Sequence, residues 1–194
     1  MEELRYDSVG PTVGRDLQTR AMTSIILSLI AIVIYIAWAF HKVSQPVSSW
    51  KYGVCAILAL VHDVIIIIGF FAVMGHYFGY QLDITSIAVI LTVLGYSVND
   101  TIVVFDRTRE NLFRLRQGFA ETVNISLNQT LTRSLYTSFT TILALMAIVI
   151  FGGSSIRDFA LALTVGVFFG TYSSIFVASP LLVIWNNLHN RKKA

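Results

Sequence analysis

The sequence predicts an all-α membrane protein: five transmembrane helices with an amphipathic helix lying at the cytoplasmic interface. Two compositional observations and one pattern carry this. Of the 194 residues, 55% are hydrophobic and 13% charged, where a soluble domain carries about 25% charged residues. The apolar residues gather in blocks near the roughly 20 residues that cross a hydrocarbon core of about 30 Å. The short alternating segments of a spanning β-barrel are missing.

Residues 1–20 hold acids, Pro11 and no charged-then-apolar layout, so they do not read as a signal peptide. They are expected to be the end of a periplasmic region leading into the membrane. The helices are expected at about 21–40, 52–75, 84–105, 134–151 and 159–185, inside a transmembrane domain of 21–185 that is followed by a cytoplasmic tail at 186–194. Between the third and fourth helices, 106–133 is expected to be a cytoplasmic loop. There Phe119, Val123, Leu127 and Leu131 recur every four residues among polar ones, the pattern of an interfacial amphipathic helix or a helical connector.

Five spans alternate the loops between the two sides. Arg5, Arg15, Arg20 and Arg157 fall on one side. Lys42, Lys51, Arg107, Arg109, Arg114, Arg116, Arg133, Arg191, Lys192 and Lys193 fall on the other. The positive-inside rule then puts the N-terminus in the periplasm and the C-terminus in the cytoplasm. The net charge of +3 is thereby explained by topology, and no nucleic-acid partner is expected; membrane lipid is. Asn99, Asn124 and Asn128 open N-x-S/T triplets but lie in the membrane or on the cytoplasmic side, which excludes glycosylation. Cys55 is the single cysteine, so no intrachain disulfide is available.

In the fifth helix Ala162, Gly166, Gly170, Ser174 and Ala178 form a ridge of small residues at intervals of four, which lets a neighbouring helix approach closely. Pro180 is expected to kink this helix near its end.

Three ionisable side chains interrupt the apolar blocks: His62, Asp63 and Asp100. An Asp at the centre of a span costs about 2.5 to 3.5 kcal/mol on insertion scales, so such residues face the bundle interior or water and serve as functional-site candidates. Arg133, at the start of the fourth helix, is the cation expected to reach Asp100, with Asn99 and Ser97 as neutral hydrogen-bond partners. A carboxylate paired with Arg133 in one arrangement and protonated in another would make a proton relay; a static buried pair is the alternative. His62 and Asp63 are adjacent, so they point about 100° apart and are not expected to make a compact relay by themselves. No phosphate-binding loop, metal-ligand cluster or nucleophile elbow is present, so no cofactor, no metal and no enzymatic activity are expected.

The motifs VGPTVGRDL before the first helix, the pair at His62 and Asp63, GYSVNDTIVVFDRTREN from Gly95, and LNQTLTRSLYTSFTT ending at Thr141 follow one another as in the bacterial SecF family. The chain resembles that family, of the SecD/SecF export proteins in the resistance-nodulation-division superfamily, over essentially its whole length. The resemblance implies one half of a resistance-nodulation-division-type bundle, with Asp100 as the intramembrane acid and Arg133 as its basic counterpart. It also implies a proton-motive-force-coupled accessory role in preprotein export across the bacterial inner membrane. The partners it implies are SecD, the SecY/SecE/SecG translocon and the preprotein, with YajC and YidC as further candidates. Family members usually carry a first helix and a periplasmic domain ahead of the region matched here. A passive scaffold docking SecD and the translocon, and a small-solute or ion carrier of the same superfamily, are the other readings.

Overall fold

The computed structural model describes residues 11–39, 48–80, 82–115 and 117–191. The helices are α1 (Pro11–Ala39), α2 (Ser49–Phe78), α3 (Ile84–Leu115), α4 (Phe119–Phe151), α5 (Ser154–Ser173) and α6 (Ser179–Arg191), and a π-helical turn, Ser174–Ala178, joins α5 to α6. No strand occurs among the described residues. Residues 1–10, 40–47 and 192–194, and with them Arg5, Lys42, Lys192 and Lys193, lie outside the described residues, as does Arg116.

Among the described residues, four stretches are long and apolar enough to cross a membrane: Trp50–Phe78, Thr85–Leu115, Phe119–Phe151 and Ile156–Leu188. The apolar stretch of α1, Met22–Ile36, is shorter. α5 is central and packs against α2, α3 and α4, while α1 lies against α2 and α3. Large apolar side chains such as Ile65, Ile68, Phe139, Leu143, Phe168 and Phe176 point outward, whereas Ser97, Asp100, Thr171 and Ser173 are buried. A polar interior under an apolar surface is the arrangement that lipid favours.

Several expected boundaries move. α1 covers Pro11–Ala39, so 11–20 is helical and continuous with the apolar stretch rather than a lead-in to it. The stretch 106–133 is not a loop with its own interfacial helix. α3 continues to Leu115, the chain turns, and α4 starts at Phe119. Side-chain hydrogen bonds hold this extension together: Asn111 Nδ2 donates to Ser126 Oγ and to Gln129 Oε1, each at 2.9 Å, and Arg107 Nε donates to Gln129 Oε1 at 2.6 Å. Of the apolar positions predicted to line the interfacial face, Val123 is buried in the bundle and Phe119, Leu127 and Leu131 are half-buried. The periodicity was that of a packed helix face.

The last helix divides before Pro180. Proline has no N–H to give and its ring crowds the preceding turn. The widened π turn at Ser174–Ala178 absorbs this, with Ser179 Oγ donating to the Ser174 carbonyl at 3.1 Å. α2 ends at Gly79, whose φ of 69° closes a left-handed cap in which the N–H groups of Gly79 and Tyr80 donate to the Gly75 and Met74 carbonyls.

The small residues of α5 set the bundle's tightest contacts. A Cβ on Gly166 would lie 2.1 Å from Val93 Cγ2, and one on Gly170 would lie 3.0 Å from Ser97 Cβ. Ala162, Ser174 and Ala178, on the same ridge, are buried. Gly166→Ala is therefore expected to destabilise the bundle by about 1–3 kcal/mol through overpacking, measured by unfolding in mixed detergent micelles. Gly69→Ala, where a Cβ meets nothing within 4 Å, should leave stability unchanged or raise it.

Ahead of α3, Asp83 Oδ1 accepts from Thr85 Oγ1 at 2.6 Å, Ser86 N at 3.0 Å and Ser86 Oγ at 3.1 Å, capping the helix start. Partial burial pushes this carboxyl up, but the bonds from Thr85 and Ser86 together outweigh it and hold it below the ordinary carboxylate range. A carboxyl lowered on folding stabilises above its unfolded value and stops doing so as pH falls through its folded one. Hydrogen-exchange protection of the Ser86 amide is accordingly expected to hold at neutral pH and to drop once the medium is acid enough to protonate Asp83. Asp83→Asn should show the weaker protection at every pH.

Candidate functional site

Two apolar clusters bracket a polar layer. In one, Tyr52, Cys55, Ala59 and Leu60 of α2 meet Leu94, Val98 and Phe105 of α3, with Ala178 and Leu182 beyond the π turn. In the other, Ile67 and Phe71 of α2 meet Val89 and Val93 of α3 and Ala162 and Leu163 of α5. Between them, on all three elements, the buried residues turn polar: Asp63 on α2, Ser97, Asp100 and Thr101 on α3, and Thr171, Ser173 and Ser174 at the end of α5.

Asp63 is 1% exposed. Its Oδ2 accepts from Ser97 Oγ at 2.5 Å and from Ser173 Oγ at 2.8 Å, and its Oδ1 lies 3.1 Å from His62 Nδ1. One carboxylate thus joins α2 to both α3 and α5. The hydroxyls continue past it: Thr101 Oγ1 and Ser174 Oγ lie 2.9 Å apart, and both donate to the Ser97 carbonyl. The closeness of α3 and α5, granted by Gly170, brings Ser97 and Ser173 to the same oxygen.

Asp100 is 5% exposed and differently placed. Its Oδ1 accepts one hydrogen bond, from Ser134 Oγ at 3.0 Å; its Oδ2 is buried without a partner at hydrogen-bond geometry among the described residues, and the Thr171 hydroxyl of α5 is the other polar group facing the carboxylate. Ser134 belongs to a stripe of buried hydroxyls on α4 at intervals of four: Thr122, Ser126, Thr130, Ser134 and Ser138. Thr122, Ser126, Thr130 and Ser138 each donate to the carbonyl four residues back, whereas Ser134 donates across to Asp100 on α3. Ser138 Oγ then meets Thr171 Oγ1 at 2.5 Å and accepts from Tyr96 OH at 3.3 Å. Ser138 and Thr171 also line an open, otherwise apolar groove of about 560 Å³ between α4 and α5, walled by Phe139, Phe168 and Tyr172.

The expected partners of Asp100 are rearranged. Arg133 is exposed and makes no ion pair with Asp100. Neighbouring residues on a helix diverge by about 100°, so facing Ser134 toward Asp100 turns Arg133 away. Asn99 is likewise exposed, and Ser97 serves Asp63 instead of Asp100. His62 and Asp63, expected to diverge, do meet, because the imidazole reaches back to its neighbour's carboxylate. The residues sequence reasoning missed are the hydroxyls, Ser134, Ser138, Thr171 and Ser173. The spacing of four from Thr122 to Ser138 was the signal that could have found the α4 set.

Fold and site together define a class: a multi-pass α-helical membrane protein that buries two carboxylates in a layer of hydroxyls. The chain belongs to the family described as protein export membrane protein SecD/SecF, C-terminal, whose model matches residues 1–188. It is 52% identical over 187 residues to protein translocase subunit SecF of Thermobaculum terrenum, covering 96% of this chain and 58% of that one. To protein translocase subunit SecDF of Thermus thermophilus it is 45% identical over 192 residues, covering 98% of this chain and 24% of that one. The crystal structure of SecDF, a translocon-associated membrane protein from the same organism, superposes with a TM-score of 0.81 at 46% identity, covering 92% of this chain and 23% of that one. The chain therefore spans 58% of the length of the SecF relative from Thermobaculum.

Removing one of the two donors on Asp63 Oδ2 loses one buried hydrogen bond while the other remains, at about 0.5–1.5 kcal/mol. Ser97→Ala and Ser173→Ala are each expected to lower bundle stability by that amount in a detergent unfolding titration. Thr137→Ala, an exposed hydroxyl bonded only to its own helix at the Arg133 carbonyl, should leave stability unchanged.

Proposed function

We propose that this chain is the membrane part of a proton-motive-force-coupled accessory subunit of the Sec translocase, acting with SecD in preprotein export across the bacterial inner membrane. It crosses that membrane five times, with the N-terminal end periplasmic and the C-terminal end cytoplasmic. Family membership supports the setting, and relatives that are single SecDF chains support SecD as the other half of the bundle.

The observation that carries the coupling is the half-satisfied Asp100. One oxygen is held by Ser134 and the other is buried without a donor. A proton on that oxygen removes the cost of an uncompensated buried charge, and so does a cation brought up to it. Arg133, next in sequence to the Ser134 that holds Asp100, is the nearby cation for the second arrangement. Alternation between the two would move the α3–α4 contact at each proton passage, with the transmembrane field supplying about 2.3 kcal/mol per charge per 100 mV. The periplasmic elements of the complete protein and of SecD would transmit that movement to the preprotein.

The test is preprotein translocation in sealed vesicles by the full-length protein with SecD, with and without a proton gradient. Asp100→Asn, which keeps the shape but cannot carry the charge, is expected to bring the gradient-driven rate down to the gradient-free one while assembly with SecD persists. Undiminished stimulation in that variant would leave Asp100 a helix contact and favour a docking scaffold.

A further inference from the structure

The Asp63 cluster is not used by this coupling scheme, and its form is that of an acid–imidazole pair. Asp63 is held from three sides: Ser97 on α3, Ser173 on α5 and His62 on its own helix. Ser97 and Ser173 both donate to Oδ2, and Oδ1 faces His62 Nδ1, where the imidazole tautomer decides which group carries the proton. His62 is the asymmetric member, with a side chain 36% exposed against 1% for Asp63. Its Nδ1 faces the carboxylate, and Nε2 has no hydrogen-bond partner among the described residues. The ring sits on the outer face of α2 beside the exposed Leu58, Val61 and Ile65, so the pair runs from the middle of the bundle to its surface.

We propose that His62 and Asp63 form a second proton-binding site, in which Nε2 of His62 takes and releases the proton and Asp63 is the fixed acceptor. Nδ1–H donates to Asp63 Oδ1, which fixes the tautomer and leaves the Nε2 lone pair facing outward. Proton uptake at Nε2 gives an imidazolium beside a carboxylate, a pair with no net charge; release returns neutral imidazole and the hydrogen-bonded carboxylate. No covalent bond other than N–H changes. Of the ionisable groups on the helices packed against α2, Asp100 on α3 is the one buried near this level, and it turns to Ser134 on α4 rather than toward Asp63. The two carboxylates are thus bonded through different helices: Asp63 through Ser97 and Ser173, and Asp100 through Ser134, with Thr171 of α5 facing it. His62 is assigned to no role by the Asp100 scheme. The site rests on the proton-coupled reading for its purpose, while its test does not involve transport.

That test is nitrogen NMR on the full chain, labelled with 15N-histidine and reconstituted in lipid bilayers, with the His62 signals identified by their loss in His62→Gln. On acidification of the bilayer sample Nε2 is expected to change reversibly from unprotonated to protonated while Nδ1 stays protonated throughout. Asp63→Asn should abolish the fixed tautomer and give a mixture. If that variant does not fold, the wild-type titration decides alone. An Nε2 signal that does not move with pH, or a tautomer unchanged in Asp63→Asn, overturns the proposal and leaves Asp63 as a helix fastener.

Discussion

The close approach of α3 and α5 is the constraint on which the rest of the structure depends. In lipid there is no water to satisfy a polar group left facing outward, so buried polar residues must find partners within the bundle. A serine hydroxyl has short reach, and Ser97 and Ser173 can share one oxygen of Asp63 only because Gly170 gives Ser97 room. Gly166 does the same for Val93 one turn earlier and seals the apolar cluster on that side. The ridge of small residues and the polar layer are thus two aspects of one packing solution: without the first, the second would be a set of unpaired groups.

The layer contains two carboxylates in unlike states of satisfaction. Asp63 has every oxygen occupied and ties three elements together, whereas Asp100 has one donor and one buried oxygen without any. A fully bonded buried charge resists change, and a half-bonded one is a place where a proton or a cation alters the local free energy most. The α4 stripe makes the difference visible. Four of its hydroxyls donate to carbonyls of their own helix, and the one at Ser134 donates to Asp100. Nothing about the amino-acid type separates Ser134 from Ser126 or Ser138; only its position opposite Asp100 does.

Much of this was legible in the residues. The apolar blocks located the helices, the spacing from Ala162 to Ala178 located the ridge, and the acids inside apolar segments located the polar layer. Helix ends were less legible, because 106–133 is polar enough to read as a loop, and the bonds that keep it helical, Asn111 to Ser126 and Gln129, join residues whose pairing depends on the hairpin being formed. The π turn follows from Pro180 only once the chain is known to continue as a helix beyond it. The orientation of Arg133 was hard to read for a related reason. Charge complementarity favours it as the partner of Asp100, but the helix phase that brings Ser134 inward turns Arg133 out. Hydroxyls were passed over because serine and threonine are common everywhere, and their role depends on which helix lies opposite.

The central claim is that Asp100, and not Asp63, is the carboxyl that changes protonation when a proton gradient is applied. Infrared difference spectroscopy of the full-length protein with SecD in sealed vesicles tests this directly, by following the carbonyl stretch of protonated carboxylic acids as the gradient is imposed. The account predicts a gradient-induced band that disappears in Asp100→Asn and persists in His62→Gln. A band that survives Asp100→Asn, or no band at all in the wild type, would contradict it.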